Sequence, residues 1–273
     1  MAAVQIDEVG QWTEIKLNII RQYSAAYARI LHSQPRIRTF DYIDAYAGAG
    51  KHISRTSGLE IQGSPAIALN VAPPFSHYHF IDLDGDKADS LRQLAGEREE
   101  VTIYQGDCNA ILLEEVFPRC RYENYCRALC LLDPYGLNPK WEVLKTAGGM
   151  RSIEVFMNFM IMDANMNILL KDPDKVPAAQ IDRMREFWGD DSWRDAAYKK
   201  EPTLFGEWDQ KASNDDLVSA YRQRLQIAAG FTYVPEPIPM RNSKGSIIYY
   251  LFFASHNRTG YKIAKAILDR YRR

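Results

Sequence analysis

The chain predicts an α/β fold whose sheet is mostly parallel and finishes with an antiparallel hairpin. Three observations carry that expectation. Residues 40–50, FDYIDAYAGAG, are an apolar run that stops at a Gly-rich turn, the opening unit of a nucleotide- or nucleoside-binding α/β domain. Residues 127–132 and 153–160 are near-continuous apolar runs, the pattern of strands buried on both faces of a sheet. Residues 231–240 and 246–254 are two β-rich runs separated by Arg241-Asn242-Ser243-Lys244-Gly245, and a five-residue loop containing Gly joins antiparallel strands. A dinucleotide-binding sheet is wholly parallel, so the terminal hairpin sets this sheet apart.

The remaining elements follow in order. Residues 12–31 read as an amphipathic helix, with Ile15, Ile19, Tyr23, Ala26, Tyr27 and Ile30 at three- and four-residue steps. Thr13 is placed to cap it, and Lys16, one turn in, is expected on its solvated side. Residues 51–62 read as a polar loop. Ser64-Pro65 then starts a helix, with Ser64 at N-cap and Pro65 at N1, and Pro73-Pro74 stops it. Residues 77–82 and 101–104 are further strands, with a helix at 86–95 between them. Residues 114–126 are a connection. A polar stretch, 163–229, holds Trp188, Trp193 and Trp208 and reads as a helical insertion, a length of connection that is uncommon without a role. A closing helix covers 259–272.

The 273 residues, 46% hydrophobic and 25% charged, are ordinary for a globular protein. They are read as a single domain, 1–273, with the insertion inside it. Net charge is −1, so no global field draws in nucleic acid; a polyanion needs a local patch such as Arg241, Lys244, Arg258, Lys262, Lys265, Arg270, Arg272 and Arg273. Cys108, Cys120, Cys126 and Cys130 are 12, 6 and 4 positions apart. No C-x-x-C is present, so the spacing signals neither a zinc site nor a redox pair. Free or buried thiols in a reducing cytosol are expected. With no run of 18 apolar residues and no signal peptide, a cytoplasmic protein without a membrane role is expected.

The Gly-rich turn discriminates among three ligand classes. The dinucleotide fingerprint G-x-G-x-x-G lacks its third Gly, because Lys51-His52-Ile53 follows Gly48-Ala49-Gly50. The phosphate loop G-x-x-x-x-G-K-[ST] has Ala45 and His52 at required positions. A methyl-donor turn, D-x-x-x-G-x-G, fits Asp44 to Gly50 without a mismatch. An ordinary βα turn fits as well. Beyond it, Asp82, Asp107, Asp133 and Asp163 also fall at or near strand ends, at the edge of a parallel sheet where ligands bind.

On these residues the chain resembles class I S-adenosylmethionine-dependent methyltransferases, and more closely the three-Cys-motif partner protein family. The likeness covers Trp12-Thr13, Lys16-Leu17, FDYIDAYAGAG, Gly63-Ser64-Pro65, FIDLD at 80–84, Gly106-Asp107 and LLDPYG at 131–136. It implies a Rossmann-like, seven-stranded methyltransferase sheet with an antiparallel last strand. It also implies S-adenosylmethionine as cofactor. Asp44, Ala45 and the Gly48 and Gly50 backbone would hold its methionine part. Asp82, with Asp84 as alternative, would hold the ribose, and Asp107 with the Cys108 backbone the adenine. The family name further implies a partner protein that carries the three cysteines.

Asp133-Pro134-Tyr135 stands where amino-methyltransferases carry Asp/Asn/Ser-Pro-Pro-Tyr/Phe. It has one Pro instead of two, and Asp-Pro-Tyr-Gly looks closer to the Asp-Pro-Phe-Gly of guanine N2-methylating tRNA enzymes. The chemistry is independent of the likeness. An exocyclic amine has its lone pair delocalised into the ring, and a carboxylate accepting its hydrogens localises that pair. An aromatic such as Tyr135 can stack on the base. The expected function is transfer to an exocyclic amine of a nucleobase in RNA or DNA. The alternative is a non-catalytic Rossmann-like module acting through protein contacts, and a nucleotide hydrolase using Gly50-Lys51 is disfavoured by the failed phosphate-loop pattern.

Overall fold

A computed structural model describes residues 7–203 and 206–272, with side chains at all of these except 174, 201–203 and 206–209. Its centre is a seven-stranded sheet: β1 (Thr39–Ala45), β2 (His77–Asp82), β3 (Val101–Gln105), β4 (Cys126–Leu132), β5 (Ile153–Phe159), β6 (Ile238–Arg241) and β7 (Ile247–Ala254). The spatial order is β6-β7-β5-β4-β1-β2-β3. Strands β1 to β5 run parallel to one another, and β7 runs antiparallel to both β5 and β6. The mostly parallel α/β sheet with an antiparallel C-terminal hairpin is therefore as the sequence predicts.

Side-chain alternation divides the core into two layers. Ile43 and Ala45 of β1, Cys130 and Leu132 of β4, and Val155 and Met157 of β5 face one layer; Tyr42, Leu129, Leu131 and Phe156 face the other. The second layer is closed by α1 (Gln11–His32), α2 (Ser64–Leu69), α3 (Gly85–Ala95) and the final helix Arg258–Arg270. The first is closed by the segment 108–120, the helix Trp141–Met150 and most of the insertion. Among the described residues no helix is long and apolar enough to cross a membrane.

Four local expectations change. Gly10, not Thr13, is the N-cap of α1; Thr13 lies inside the helix and is buried. Gly63 caps α2, one residue before Ser64. Residues 51–62 are not simply a loop: Lys51–Ser54 pairs with Glu60–Gln62 and with Glu8–Val9, making a three-stranded flap. Strand β6 is short, because Pro235 and Pro237 lack the N–H that would extend its ladder; upstream only a single bridge joins Tyr233 to Ser255.

The insertion is mainly helical, with helices Ile161–Asn167, Ala178–Trp188, Trp193–Ala197 and Asn214–Ile227. It also contains an antiparallel hairpin, Tyr198–Thr203 with Gly206–Lys211, which the helical reading did not include. Trp188, Trp193 and Tyr221 are buried in the core cluster on the first layer, with Tyr221 against Phe159, Phe252 and Trp188, so the insertion packs as part of the core. The Trp208 side chain lies outside the described residues, as does Arg273.

Candidate functional site

The carboxyl ends of β1 and β4 open into a cavity of about 620 Å³. Its walls include the turn Tyr46-Ala47-Gly48, the segment Asp133-Pro134-Tyr135, Lys16, His52 and Asn158. A larger cavity, about 1170 Å³, lies at the opposite edge of the sheet near Arg36, Arg127, Arg151, Glu154 and Arg258. The smaller one is the candidate site because ligands of open α/β sheets bind outside the carboxyl ends of the strands.

The turn is built from left-handed backbone. Gly48 has φ +65° and Gly50 φ +77°, and a Cβ at Gly48 would meet nothing within 4 Å. Tyr46 takes φ +75° with a side chain attached, a costly conformation for a bulky residue and a recurrent feature of binding turns. It is held by its own amide and that of Ala47, both donating to the Ile81 carbonyl at 3.0 and 2.9 Å.

The strand-end aspartates divide by what they touch. Asp84 caps α3, accepting from the amides of Asp86 and Lys87. Asp107 caps the short helix Cys108–Ile111 through the Asn109 amide. Asp163 accepts from Leu137 N–H at 3.2 Å and pairs with Arg183 at 2.9 Å, fixing the loop after β4 to the insertion. Asp82 accepts from Gly48 N–H at 2.8 Å and from Asp84 N–H at 2.9 Å. Asp44 differs. It is fully buried, Tyr42 donates to its Oδ2 at 3.3 Å, and its Oδ1 has no hydrogen-bond partner. Burial pushes its carboxyl up to about 7; the nearby Ser64 hydroxyl, which makes no hydrogen bond of normal geometry to Oδ1, acts against the shift, and Asp133 adds to it.

Asp133 is held on both oxygens. Lys16 Nζ pairs with Oδ2 and Asn158 Nδ2 donates to Oδ1. Lys16 is therefore not solvated: its side chain is 6% exposed, and the sequence reading of it is corrected. The periodicity that locates α1 does not reveal this, because the partner is 117 residues away. Tyr135 leans outward. It is 70% exposed, donates its hydroxyl to Asp7 Oδ2 at 2.6 Å, and has Lys87 Nζ 5.3 Å from its ring centroid.

Two further groups escaped the sequence reading. His52 sits on the flap and lines the cavity, with Nδ1 unpartnered; burial and then the Lys16 charge lower its pKa, which keeps it neutral at physiological pH. Asn158 is written inside an apolar run, where a single polar residue gives no signal. Of the sequence-predicted residues, Gly48, Asp133, Pro134 and Tyr135 line this cavity. Asp44, Ala45, Gly50, Asp82, Asp84, Asp107 and Cys108 stand on the adjoining strand ends and turns. Cys108 is buried, and its thiol is pushed up to about 12 by that burial, which leaves it unreactive.

No protein-family model matches the chain, and no curated protein sequence matches it. Solved structures do align with most of its length. A Legionella pneumophila protein of the family DUF519 aligns with TM-score 0.47 and 11% identity, over 93% of this chain and 91% of that one. A candidate S-adenosylmethionine-dependent methyltransferase from Listeria monocytogenes aligns with TM-score 0.43 and 9% identity, over 89% and 100%. A candidate methyltransferase from Thermobifida fusca aligns with TM-score 0.41 and 14% identity, over 87% and 80%.

Proposed function

We propose that the chain is an S-adenosylmethionine-dependent methyltransferase acting on an exocyclic amine of a nucleobase in RNA or DNA. The observation that carries this is Asp44 Oδ1, a buried carboxylate oxygen without a partner. It lies on the strand that ends in the left-handed glycine turn, beside a cavity lined by Asp133-Pro134-Tyr135. A buried orphan acceptor is costly, and a cationic amino-acid group would satisfy it. The donor's ammonium and sulfonium charges also suit a rim supplied with aspartates.

In this reading Asp44, Ala45 and the Gly48 and Gly50 backbone hold the methionine part. Asp82, whose oxygens each keep a second lone pair, takes the ribose. Asp84 is committed to its helix cap, so it is the weaker ribose candidate. Asp107 and the Cys108 backbone take the adenine. The bound donor supplies an electrophilic methyl group.

The chain's own residues prepare the acceptor. Lys16 and Asn158 fix the Asp133 carboxylate while leaving each oxygen a lone pair for an amine hydrogen. Pro134 biases Asp133 toward extended backbone. Tyr135 offers a ring for stacking once Lys87 yields its face. His52 Nδ1 is a neutral, unpartnered acceptor for the proton that the amine releases.

The test is calorimetric titration with S-adenosylmethionine and S-adenosylhomocysteine, with NAD and ATP as controls, followed by labelled-methyl transfer to bulk tRNA, rRNA and DNA. Micromolar donor binding and incorporation are expected. No binding at millimolar donor sinks the cofactor assignment. A second reading, a non-catalytic module for a three-Cys-motif partner, is favoured by one observation: both Asp133 oxygens already have partners. It gains if the donor binds and no nucleic acid is methylated.

A further inference from the structure

The amino edge of the sheet holds a second, closed constellation. Asp41 of β1, His79 of β2, Cys126 at the start of β4 and Cys120 in the preceding connection are each at most 3% exposed. Three donor atoms surround a single carboxylate oxygen. Asp41 Oδ2 has Cys120 Sγ at 3.7 Å, Cys126 Sγ at 3.8 Å and His79 Nε2 at 3.7 Å. The Asp41, Cys120 and Cys126 atoms lie within 4.8 Å of one another.

We propose that Asp41, Cys120, Cys126 and His79 form a structural metal site of zinc type. Metal–ligand bonds of about 2.0–2.3 Å place tetrahedral ligands roughly 3.3–3.8 Å from each other, which is the spacing around Asp41 Oδ2. His79 supplies an independent indication. Its Nε2 is buried and has no hydrogen-bond partner, whereas its Nδ1 lies 3.3 Å from the Tyr104 hydroxyl. A ligating histidine has this arrangement, one nitrogen held by a second group and the other on the metal. His79 stands to one side of the Asp41–Cys120–Cys126 triad, so its ring moves inward to complete the set.

Donor chemistry selects the ion. Two sulfurs with one nitrogen and one oxygen suit zinc and do not suit magnesium or calcium. His77 Nδ1, 3.0 Å from Asp41 Oδ1, steadies the carboxylate so that Oδ2 faces the thiols. The location gives the site its purpose. Segment 112–124 has only a π turn and two 3-10 turns, and the metal would tie it to β1 and β2. The six-residue spacing of Cys120 and Cys126 matches no zinc signature; the third and fourth ligands come from strands paired in the sheet.

The experiment measures metal by mass spectrometry in the purified full chain, then titrates metal-free protein with zinc and with cobalt(II). About one zinc per chain is expected, together with intense thiolate-to-cobalt charge-transfer and tetrahedral d–d bands. Cys120→Ser and Cys126→Ser should each weaken zinc binding at least tenfold. Cys130→Ala, a buried thiol outside the cluster, should keep full stoichiometry. The proposal is overturned if zinc-supplemented protein stays well below one equivalent without cobalt–thiolate bands. It is also overturned if freshly purified protein has the mass of a Cys120–Cys126 disulfide. The cobalt spectrum of the unaltered chain decides the matter even where a variant fails to fold.

Discussion

Strand β1 carries two buried aspartates three positions apart, and they end in opposite circumstances. Asp44 is buried near the carboxyl edge, just before a glycine turn that keeps space above the backbone at Gly48, and one of its oxygens lacks a partner. Asp41 points to the other layer at the amino edge, where thiols and imidazoles crowd around it. The larger cavity also lies at the amino edge, yet the glycines and the cavity-lining Asp133 are at the other. Cavity size alone thus does not choose the candidate site; the polarity of a parallel sheet does.

The sharpest way to break this contrast is Asp133→Ala. Transfer should fall by roughly 10²-fold or more, the scale of losing one preorganised hydrogen-bonding group at the reacting centre, while calorimetric donor affinity stays within about threefold. Near-normal transfer would leave the carboxyl edge with no catalytic distinction. If donor binding disappears instead, Asp133 belongs to the donor pocket.

A comparable disturbance at the amino edge should affect stability alone. Gly260 lies in the first turn of the final helix, and a Cβ there would lie 2.7 Å from the Tyr23 hydroxyl and 2.8 Å from Glu154. Gly260→Ala should cost about 1–3 kcal/mol by overpacking, read by urea denaturation, with donor affinity of the folded protein unchanged. A large affinity loss would show that the two edges are coupled.

The third test uses pH. Burial raises Asp44 from 3.8 to about 7 and Glu154 from 4.5 to about 7. In each case the folded state holds the proton more tightly than the unfolded chain. The associated stability is fully present below about pH 4 and is lost as pH rises through about 7. Asp44→Asn and Glu154→Gln should each flatten the decline in thermal stability between about pH 5 and pH 8. Only Asp44 faces the proposed donor, so donor affinity should tighten over about pH 6 to 8 in the unaltered protein and in Glu154→Gln, but not in Asp44→Asn. An identical pH profile in all three would remove Asp44 from the donor site.

The smallest effect belongs to Tyr135→Phe. The ring remains and only the hydrogen bond to Asp7 goes, so transfer should change by less than about fivefold, whereas Tyr135→Ala should be severe. Equal losses in the two variants would mean that the hydroxyl, not the ring, matters.

The sheet was readable because its evidence is local: apolar runs, Gly and Pro punctuation, and a hairpin loop. So was the turn at Asp44–Gly50, whose glycines announce their backbone. Three things were not. The flap joins residues 8–9 to residues 51–62, and short strands with weak alternation carry no pairing signal of their own. Lys16 lies on a helix whose period says only that one face is buried, and not that a cation on that face meets Asp133. Cys120 and Cys126 seemed unrelated to Asp41 and His79, since strand order, which brings β1 between β2 and β4, is decided by long-range contact. Asp84 and Asp107 teach the reverse lesson: acidic residues at strand ends also serve as helix caps.

The docking of α1 has a consequence for the order in which the molecule matures. Tyr23 packs 5.1 Å from Phe156 and 5.0 Å from Phe253, and Asn18 and Gln22 meet Tyr271. The ribosome makes this helix before the strands and the helix that receive it. Until β7 and the final helix have emerged, α1 lacks the part of its docking surface that Phe253 and Tyr271 supply. A nascent chain can complete β1 to β4 and still lack β7 and the helix Arg258–Arg270, against which α1 docks.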